Sequence, residues 1–354
     1  MRAGLLHGFR DLRVEEIDPP TPGRGEALVR IAACGVCPSD LRGYLGSRVG
    51  TLPRRLGHEW SGVVEALGEP LDDSEQQITI GSRVVVDWRC VCGRCYECRR
   101  GVFGYCENLR RGTLGGFADY GTAPVSQLRV VPGSVPLEDA SFCEPLACVL
   151  NAHSFTEIPV GADVVVVGLG PIGLLHLQLA RGRGARVIGV DPLPSRRELA
   201  LALGAHDVID TAQESPVAEV QALTEGRGAD AVLIAVGAVD AIRQGLEMAA
   251  INGWVNIFAG THPPADVPVD PNLVHYRQLR VTGSHDYNPH HFSTALKLLQ
   301  HKIVRVAPLV SHRFELAALS EAFETTANRR GMKSIVSPDG KVEEDQACSR
   351  AELG

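Results

Sequence analysis

The hydrophobic pattern of the chain changes near residue 153. Before it, short runs of alternating hydrophobic and polar residues are broken by Gly and Pro, and they lie at 26–36, 62–67, 82–88 and 127–132. This pattern, with few long helical periods, favours a barrel-like or mixed β domain. We predict that the acidic segment at 69–79 is a surface loop.

Strand and helix patterns alternate after residue 153. A continuous β-branched run at 162–170 is typical of a strand buried on both faces, and a helical pattern follows at 171–184. Further strands are predicted at 185–191, 229–237 and 254–260, with helices at 195–205 and 241–253. This alternation predicts a doubly wound parallel sheet. Helices and short strands follow, and we expect residues 343–354 to be disordered.

Composition excludes several classes of protein. The 354 residues suffice for two buried cores. Lys plus Arg number 35 against 42 Asp plus Glu, and no basic block occurs, so we expect no nucleic-acid partner. No apolar run reaches the roughly 18 residues of a membrane-spanning helix. The first residues lack the apolar core of a secretion signal, so we expect a cytoplasmic protein without a membrane partner.

A glycine motif joins the strand at 162–170 to the helix after it. Gly168, Gly170 and Gly173 fit G-x-G-x-x-G, and Asp191 follows Gly168 by 23 residues, at the end of the next strand. In this context Gly168 permits a tight turn, Gly170 the approach of a pyrophosphate, and Gly173 close packing of the helix. The motif therefore indicates a dinucleotide site.

The residues after the second strand bear on which dinucleotide binds. Asp191 can accept hydrogen bonds from both ribose hydroxyls and repel a 2′-phosphate, which favours NAD over NADP. Arg196 and Arg197 leave NADP open, because an arginine could accept that phosphate. A related domain that binds another nucleotide, or none, is the alternative.

Half of the ten cysteines fall between residues 90 and 106. Cys92, Cys95, Cys98 and Cys106 supply thiolates at spacings that can close a tetrahedron around zinc. Four cysteine ligands leave no open position, which is typical of a structural site. An iron–sulfur cluster competes with this interpretation, but one 15-residue loop suits a small tetrahedral ion better. For Cys90, outside this spacing, we expect a buried apolar role.

Three separate fragments offer the ligands of a second metal site. They contribute the thiolate of Cys37, the imidazole of His58, and the carboxylates of Glu59 and Glu144. Each fragment alone is weak evidence for a metal site, since a single histidine is more often a core or surface residue than a ligand. A catalytic zinc needs about three protein ligands and one open position, which the fragments together would supply.

With these motifs the chain resembles the zinc-dependent medium-chain dehydrogenases of the alcohol, sorbitol and threonine dehydrogenase type. The resemblance extends to about residue 337 and is carried by GVCPSD, LGHEWSGVV, CGRCYECRRGVFGYC and VVVVGLGPIG. The segments 144–146 and 307–325 are most like sorbitol and other polyol dehydrogenases. The resemblance implies an α/β fold. A GroES-like, β-rich catalytic domain would span 1–152 and 290–354, and a Rossmann doubly wound parallel-sheet domain that binds NAD would span 153–289.

The resemblance also implies roles for individual residues. Cys37, His58 and Glu59 would surround the catalytic zinc, with Glu144 a ligand or a hydrogen-bond partner of zinc-bound water. Ser39 would relay the substrate's hydroxyl proton, and Asp40 would orient His58. Besides the three glycines, the implied cofactor contacts are Pro171, Ile172, Asp191, Arg196, Phe258, Ala259, Gly260, Ser284 and His285.

The implied reaction transfers hydride to NAD from a secondary alcohol of a polyol, cyclitol or (amino)sugar. It would use one catalytic and one structural Zn²⁺ per chain. The catalytic zinc would lower the pKa of the substrate hydroxyl bound to it. Alternatives are a threonine or simple-alcohol dehydrogenase, or a non-catalytic protein that binds NAD and zinc. The family usually forms dimers or tetramers, so a homodimer or homotetramer is implied.

Two residues depart from the family pattern. Pro38 stands where the family usually has Gly or His. Asp286 stands where polyol dehydrogenases tend to place an arginine beside the substrate. We hypothesise that Asp286 pairs with an amine of the substrate. In the alternative, Asp286 faces solvent or an arginine of a neighbouring subunit's zinc lobe.

Overall fold

The computed structural model describes residues 1–47, 50–70, 78–110 and 114–340. Most of the loop predicted at 69–79, and the segment 343–354, lie outside these residues. The chain divides into two units. The first comprises Met1–Pro145, Asn288–Gln300 and the described part of Val306–Gly354, and the second comprises Leu146–Tyr287 and His301–Arg305. The domains predicted from the sequence are 1–152 with 290–354, and 153–289.

The strands and helices are as follows. The strands are β1 (Arg2–Gly8), β2 (Asp11–Glu16), β3 (Glu26–Gly35), β4 (Arg54–Arg55), β5 (Glu59–Leu67), β6 (Arg83–Val86), β7 (Tyr120–Pro124), β8 (Leu128–Val130), β9 (Asp163–Val167), β10 (Arg186–Val190), β11 (Asp207–Ile209), β12 (Ala229–Ile234), β13 (Ala249–Ile257), β14 (Arg280–Gly283), β15 (Val310–Glu315) and β16 (Lys333–Ser337). The helices are α1 (Pro38–Tyr44), α2 (Tyr96–Arg99), α3 (Leu137–Ala140), α4 (Cys143–Ser154), α5 (Pro171–Gly182), α6 (Pro194–Ala202), α7 (Pro216–Leu223), α8 (Val239–Met248), α9 (Pro271–Tyr276), α10 (Pro289–Gln300) and α11 (Leu319–Ala327).

The first unit is β-rich, as its alternating pattern predicts. One sheet has the order β15-β16-β3-β5-β6-β8, with β7 also paired to β3, and a smaller sheet has the order β2-β1-β4. Trp60, Phe117 and Phe323 are buried in its apolar core. Strand β3 pairs antiparallel with both β5 and β16, so its last residue, Gly35, lies beside Glu59 and Ile335. This pairing brings together the segments that carry the first candidate site.

The second unit contains one parallel sheet of order β11-β10-β9-β12-β13-β14. This is the Rossmann strand order, and the predicted doubly wound parallel sheet is confirmed. The valines at 164–166 on β9 are fully buried, as expected for a central strand covered on both faces. Because parallel strands end at one edge, the loops after β9, β10, β13 and β14 share that edge.

One predicted helix extends too far. The helix predicted at 241–253 ends at Met248, and β13 begins at Ala249. Ala249 pairs with Ala229 of β12, and both are fully buried. The apolar and alanine-rich segment therefore joins the sheet, because tertiary pairing overrides its helical propensity.

Among the described residues, no helix is long and apolar enough to cross a membrane.

Close packing at the glycine turn predicts a local stability effect. A Cβ atom at Gly173 would overlap the carbonyl oxygen of Gly168, whereas one at Gly260 would meet nothing within 4 Å. We expect Gly173→Ala to destabilise the second unit by about 1–3 kcal/mol. Gly260→Ala, the matched control, should change stability little. Denaturant unfolding followed by circular dichroism checks this, and equal midpoints for the two variants would contradict the packing account.

Candidate metal centres and dinucleotide site

The start of helix α1 positions Cys37. Cys37 is the N-cap residue, and its sulfur accepts a hydrogen bond from the Ser39 N–H at 3.5 Å. The Asp40 carboxylate accepts in return from the Cys37 N–H at 3.2 Å, which completes a capping box. Pro38 occupies the first turn, where its missing N–H costs nothing. The departure at Pro38 thus has a structural account: it favours the turn that presents Cys37.

Asp40 also positions His58. Its Oδ1 atom accepts from the Gly57 N–H at 3.2 Å and lies 3.4 Å from His58 Nδ1. Burial raises the pKa of Asp40, but His58 and the hydrogen-bond donors lower it more, so the net shift is downward. An ionised Asp40 fixes the imidazole orientation and directs Nε2 away from itself. Gly57 adopts φ 94°, a left-handed conformation that favours glycine.

Three donor atoms form the first candidate metal centre. Ligand atoms of Cys37, His58 and Glu59 lie within 4.8 Å of one another. The hydroxyl of Ser39 is 3.3 Å from both Cys37 Sγ and His58 Nε2. Burial lowers the pKa of His58, but Asp40 and Cys37 raise it well above its usual value overall. A thiolate, an imidazole and a carboxylate at this separation match the donor set of a catalytic zinc.

Glu144 lies next to this centre. Its Oε1 atom is 4.0 Å from His58 Nε2 and accepts a hydrogen bond from the indole N–H of Trp88 at 3.2 Å. The Trp88 ring also contacts His58 edge-on, with centroids 5.8 Å apart. Sequence reasoning missed Trp88. Its one signal in the sequence is its position between strand β6 and the four-cysteine segment.

Sequence reasoning also missed Lys333. Its ammonium group pairs with the Glu59 carboxylate, and both side chains are buried. Burial lowers the pKa of Lys333, but Glu59, Cys37 and Glu144 raise it, so the net shift is upward. A side chain on Gly35 would overlap this pair, so the close approach of β3 requires glycine. Glu59 is therefore shared between the donor cluster and a buried cation.

The four-cysteine segment forms the second candidate centre. The sulfur atoms of Cys92, Cys95, Cys98 and Cys106 lie within 4.8 Å of one another. Backbone N–H groups of Arg94 and Cys95 lower the pKa of Cys92 to about 6, whereas burial and the neighbouring cysteines raise the pKa of Cys98 to about 12. Four sulfur donors in this arrangement fit tetrahedral zinc. Cys90 stands outside the group and is half-buried, where the sequence suggested a buried residue.

The glycine motif forms the turn between β9 and α5. Gly168 adopts φ 87°. The helix begins at Pro171, and Ile172 is its second residue. Asp191, at the end of β10, is buried and accepts hydrogen bonds from the backbone N–H groups of Leu169 at 2.8 Å and Leu193 at 2.9 Å. Asp191 therefore fixes the turn that carries Gly168. The guanidinium of Arg196 lies 3.5 Å from the same carboxylate.

The remaining cofactor candidates lie at the same sheet edge. Backbone N–H groups of Phe258 and Ala259, just after β13, both donate to the carbonyl of Ile234. Gly260 follows them, and Ser284 and His285 follow β14. In open parallel sheets, ligands bind outside the carboxyl ends of the strands, where these loops lie.

Asp286 has a local backbone role. It adopts φ 64°, and its Oδ1 atom accepts from the Tyr287 N–H at 3.0 Å. Short polar side chains are favoured in such turns because they bond to their own backbone.

The buried pair of Lys333 and Glu59 predicts a strong stability effect. In protein stripped of metal, Lys333→Met should lower the free energy of unfolding by about 3–5 kcal/mol, because it leaves a buried carboxylate unpaired. Adding Glu59→Leu should recover most of the loss. Denaturant titration of both variants checks this, and a double variant as unstable as the single one would contradict the pairing.

Two family models match the chain. An alcohol dehydrogenase GroES-like domain matches residues 23–133, and a zinc-binding dehydrogenase domain matches residues 171–301. The GroES-like fold expected for the first unit is thereby confirmed.

Similar proteins cover nearly the whole chain. Sorbitol dehydrogenase of Halalkalibacterium halodurans is 33% identical over 94% of this chain and 97% of its own length. L-threonine 3-dehydrogenase of Pyrococcus horikoshii is 35% identical over 87% of this chain and 90% of its own. A zinc-binding dehydrogenase of Sinorhizobium meliloti 1021, solved with NADP, superposes with a TM-score of 0.88 at 31% identity, covering 95% of this chain and 99% of its own. The chain therefore belongs to the zinc-dependent medium-chain dehydrogenase family, whose members are alcohol and polyol dehydrogenases.

Proposed function

We propose that this enzyme is an NAD- and zinc-dependent dehydrogenase that oxidises a secondary hydroxyl of a polyol, cyclitol or (amino)sugar. The observation that carries the proposal is the buried cluster of Cys37, His58 and Glu59, with the hydroxyl of Ser39 in contact with two of its donor atoms. A purely structural zinc site has no use for a hydroxyl at its ligands. A second site with four thiolates already fits the structural ion.

The chain's own residues then have distinct tasks. Zinc held by Cys37, His58 and Glu59 would supply a Lewis acid that lowers the pKa of a bound hydroxyl. Asp40 holds the imidazole of His58 in one orientation through its contact with Nδ1. The hydroxyl of Ser39 can relay a proton, because it is both acceptor and donor: it would accept the proton of a substrate hydroxyl and pass its own proton to solvent water. Glu144 provides a carboxylate beside His58 Nε2, as a further ligand or as an acceptor.

The turn at 168–173 would hold the dinucleotide, and NAD would supply the hydride acceptor there. Its pyrophosphate would bind at the N-terminus of α5, where backbone N–H groups point outward. The carboxylate of Asp191, at the end of β10, supports NAD, because it would repel a 2′-phosphate. Since the S. meliloti relative was solved with NADP, both cofactors belong in the test.

The names of relatives support a polyol substrate. They include sorbitol dehydrogenases and an erythritol/L-threitol dehydrogenase of Mycolicibacterium smegmatis, 32% identical over 95% of this chain. The similarity to L-threonine 3-dehydrogenases keeps threonine as the second candidate. An amine on a cyclitol or sugar remains our hypothesis for Asp286, although its bond to the Tyr287 N–H already gives this residue a structural role.

We also propose a homo-oligomer in which β14 pairs with its copy in a second chain. β14 is the last strand of its sheet, and most of its residues are exposed. Val281 on this strand is 43% exposed and Tyr276 just before it is 76% exposed. An exposed strand edge presents unpaired backbone groups and is a ready template for pairing.

Activity should depend on zinc, NAD and Ser39 together. We expect NADH formation, followed by absorbance, with at least one of sorbitol, xylitol, erythritol, inositols, aminocyclitols or threonine, and loss of the rate with a chelator. Ser39→Ala should lower kcat about 10²–10⁴-fold, because it removes the hydroxyl that relays the substrate's proton to solvent. Ser47→Ala, at an exposed serine past α1, is the matched control. Turnover by Ser39→Ala equal to wild type would contradict the relay.

The oligomer proposal predicts a change of mass. Val281→Asp places a charge at the strand edge, and we expect it to shift the protein toward monomer in light scattering. Val160→Asp, at an 86% exposed site in the same unit, should leave the mass unchanged. A wild-type monomer, or an unchanged mass for Val281→Asp, would count against pairing through β14.

A further inference from the structure

We infer that Trp88 is a positioning residue, whose indole N–H holds the Glu144 carboxylate in place beside His58. The inference rests on the proposed function, because it concerns the metal centre of Cys37, His58 and Glu59. It assigns this centre a residue outside its ligand set.

The geometry of three side chains carries the inference. The indole N–H of Trp88 donates to Glu144 Oε1 at 3.2 Å, and the same oxygen lies 4.0 Å from His58 Nε2. The ring of Trp88 meets the His58 ring edge-on, at a centroid distance of 5.8 Å and an angle of 68°. Carboxylate, imidazole and indole thus each contact the other two. Moving any one of them disturbs two contacts.

The chemistry of the indole makes this contact directional. An indole N–H is a donor only, so Trp88 can bond an oxygen of an ionised Glu144 but cannot accept from a protonated one. Glu144 is only 7% exposed. A buried carboxylate needs such donors, because loss of hydration is costly. The hydrogen bond therefore favours one orientation of the carboxylate.

Trp88 is itself anchored to the four-cysteine lobe, residues 92–106. The neighbouring Arg89 is 2% exposed, and its guanidinium carbon lies 5.7 Å from the centre of the Trp88 ring. Arg89 Nη2 donates to the carbonyl of Phe103 at 3.0 Å, inside the lobe. Cys92 follows Trp88 by four residues. These contacts tie the segment that presents the indole to the four-cysteine lobe.

Phenylalanine at position 88 separates hydrogen bonding from packing. Trp88→Phe retains an aromatic ring against His58 and removes the N–H donor. Trp254→Phe is the matched control, because Trp254 is also half-buried but lies on β13 of the second unit. Glu144→Ala removes the acceptor, and the double variant Trp88→Phe/Glu144→Ala closes a double-mutant cycle.

Cobalt substitution reports on the ligands of the metal centre through absorption bands, without relying on turnover. Wild-type protein should bind two Co²⁺ per chain, one with tetrathiolate absorption bands and one with bands of a mixed sulfur, nitrogen and oxygen site. Trp88→Phe should change the mixed-site bands and weaken Co²⁺ at that site about 10-fold or more, as for other partners of metal-site residues. The tetrathiolate bands and the unfolding midpoint should stay unchanged. Trp254→Phe should change neither site.

The cycle decides the outcome. We expect Trp88→Phe to have no further effect on mixed-site affinity in the Glu144→Ala background. If Trp88→Phe changes mixed-site affinity equally in both backgrounds, or in neither, the inference is overturned. Two bound Co²⁺ ions in wild type would still support the proposed function in that case. A wild type that binds Co²⁺ only at the tetrathiolate site would instead refute the proposed metal centre, and the inference with it.

A second measurement tests the same hydrogen bond without the Trp88→Phe variant, in case that variant does not fold. The chain has three tryptophans, so isotope-labelled wild type gives three indole N–H signals in NMR. Glu144→Ala should move one of these signals upfield, since it loses a carboxylate acceptor. If all three signals stay in place, Trp88 does not bond Glu144.

Discussion

The first candidate metal centre is organised around one buried carboxylate, that of Asp40. It accepts hydrogen bonds from the backbone of Cys37 and of Gly57 and contacts His58 Nδ1. A single side chain thus joins a helix N-terminus to a strand entry 17 residues away. Because its partners include two backbone groups, Asp40 fixes the main chain as well as one imidazole. Loss of this carboxylate would remove one contact each from Cys37, Gly57 and His58.

Buried charge surrounds the donor cluster. Glu59 is paired with Lys333, and Glu144 is held by Trp88. Each carboxylate therefore has a partner other than a metal, which limits the cost of its burial. As a result, the carboxylate oxygens of Glu59 and Glu144 lie beside the Cys37 sulfur and the His58 imidazole while each carboxylate is paired with another group.

The two units offer different kinds of binding group. The first uses side-chain donors in two clusters, whereas the second uses backbone N–H groups and a helix N-terminus. In the second unit, Asp191 fixes the glycine turn by accepting from the Leu169 N–H. An acidic residue that the sequence suggests as a ribose ligand thus also has a structural task.

Features that depend on short spacing could be predicted from the amino-acid sequence. The cysteine spacing at 92–106, the glycine motif with Asp191, and the alternation of strands and helices each encode local geometry. The partners of the buried carboxylates, in contrast, depend on how the chain folds. Lys333 lies 274 residues after Glu59 and reaches it because β16 pairs with β3, next to β5. The end of α8 at Met248 was decided in the same way, by pairing of Ala249 with β12. Such contacts depend on sheet register, which no local pattern of residues contains.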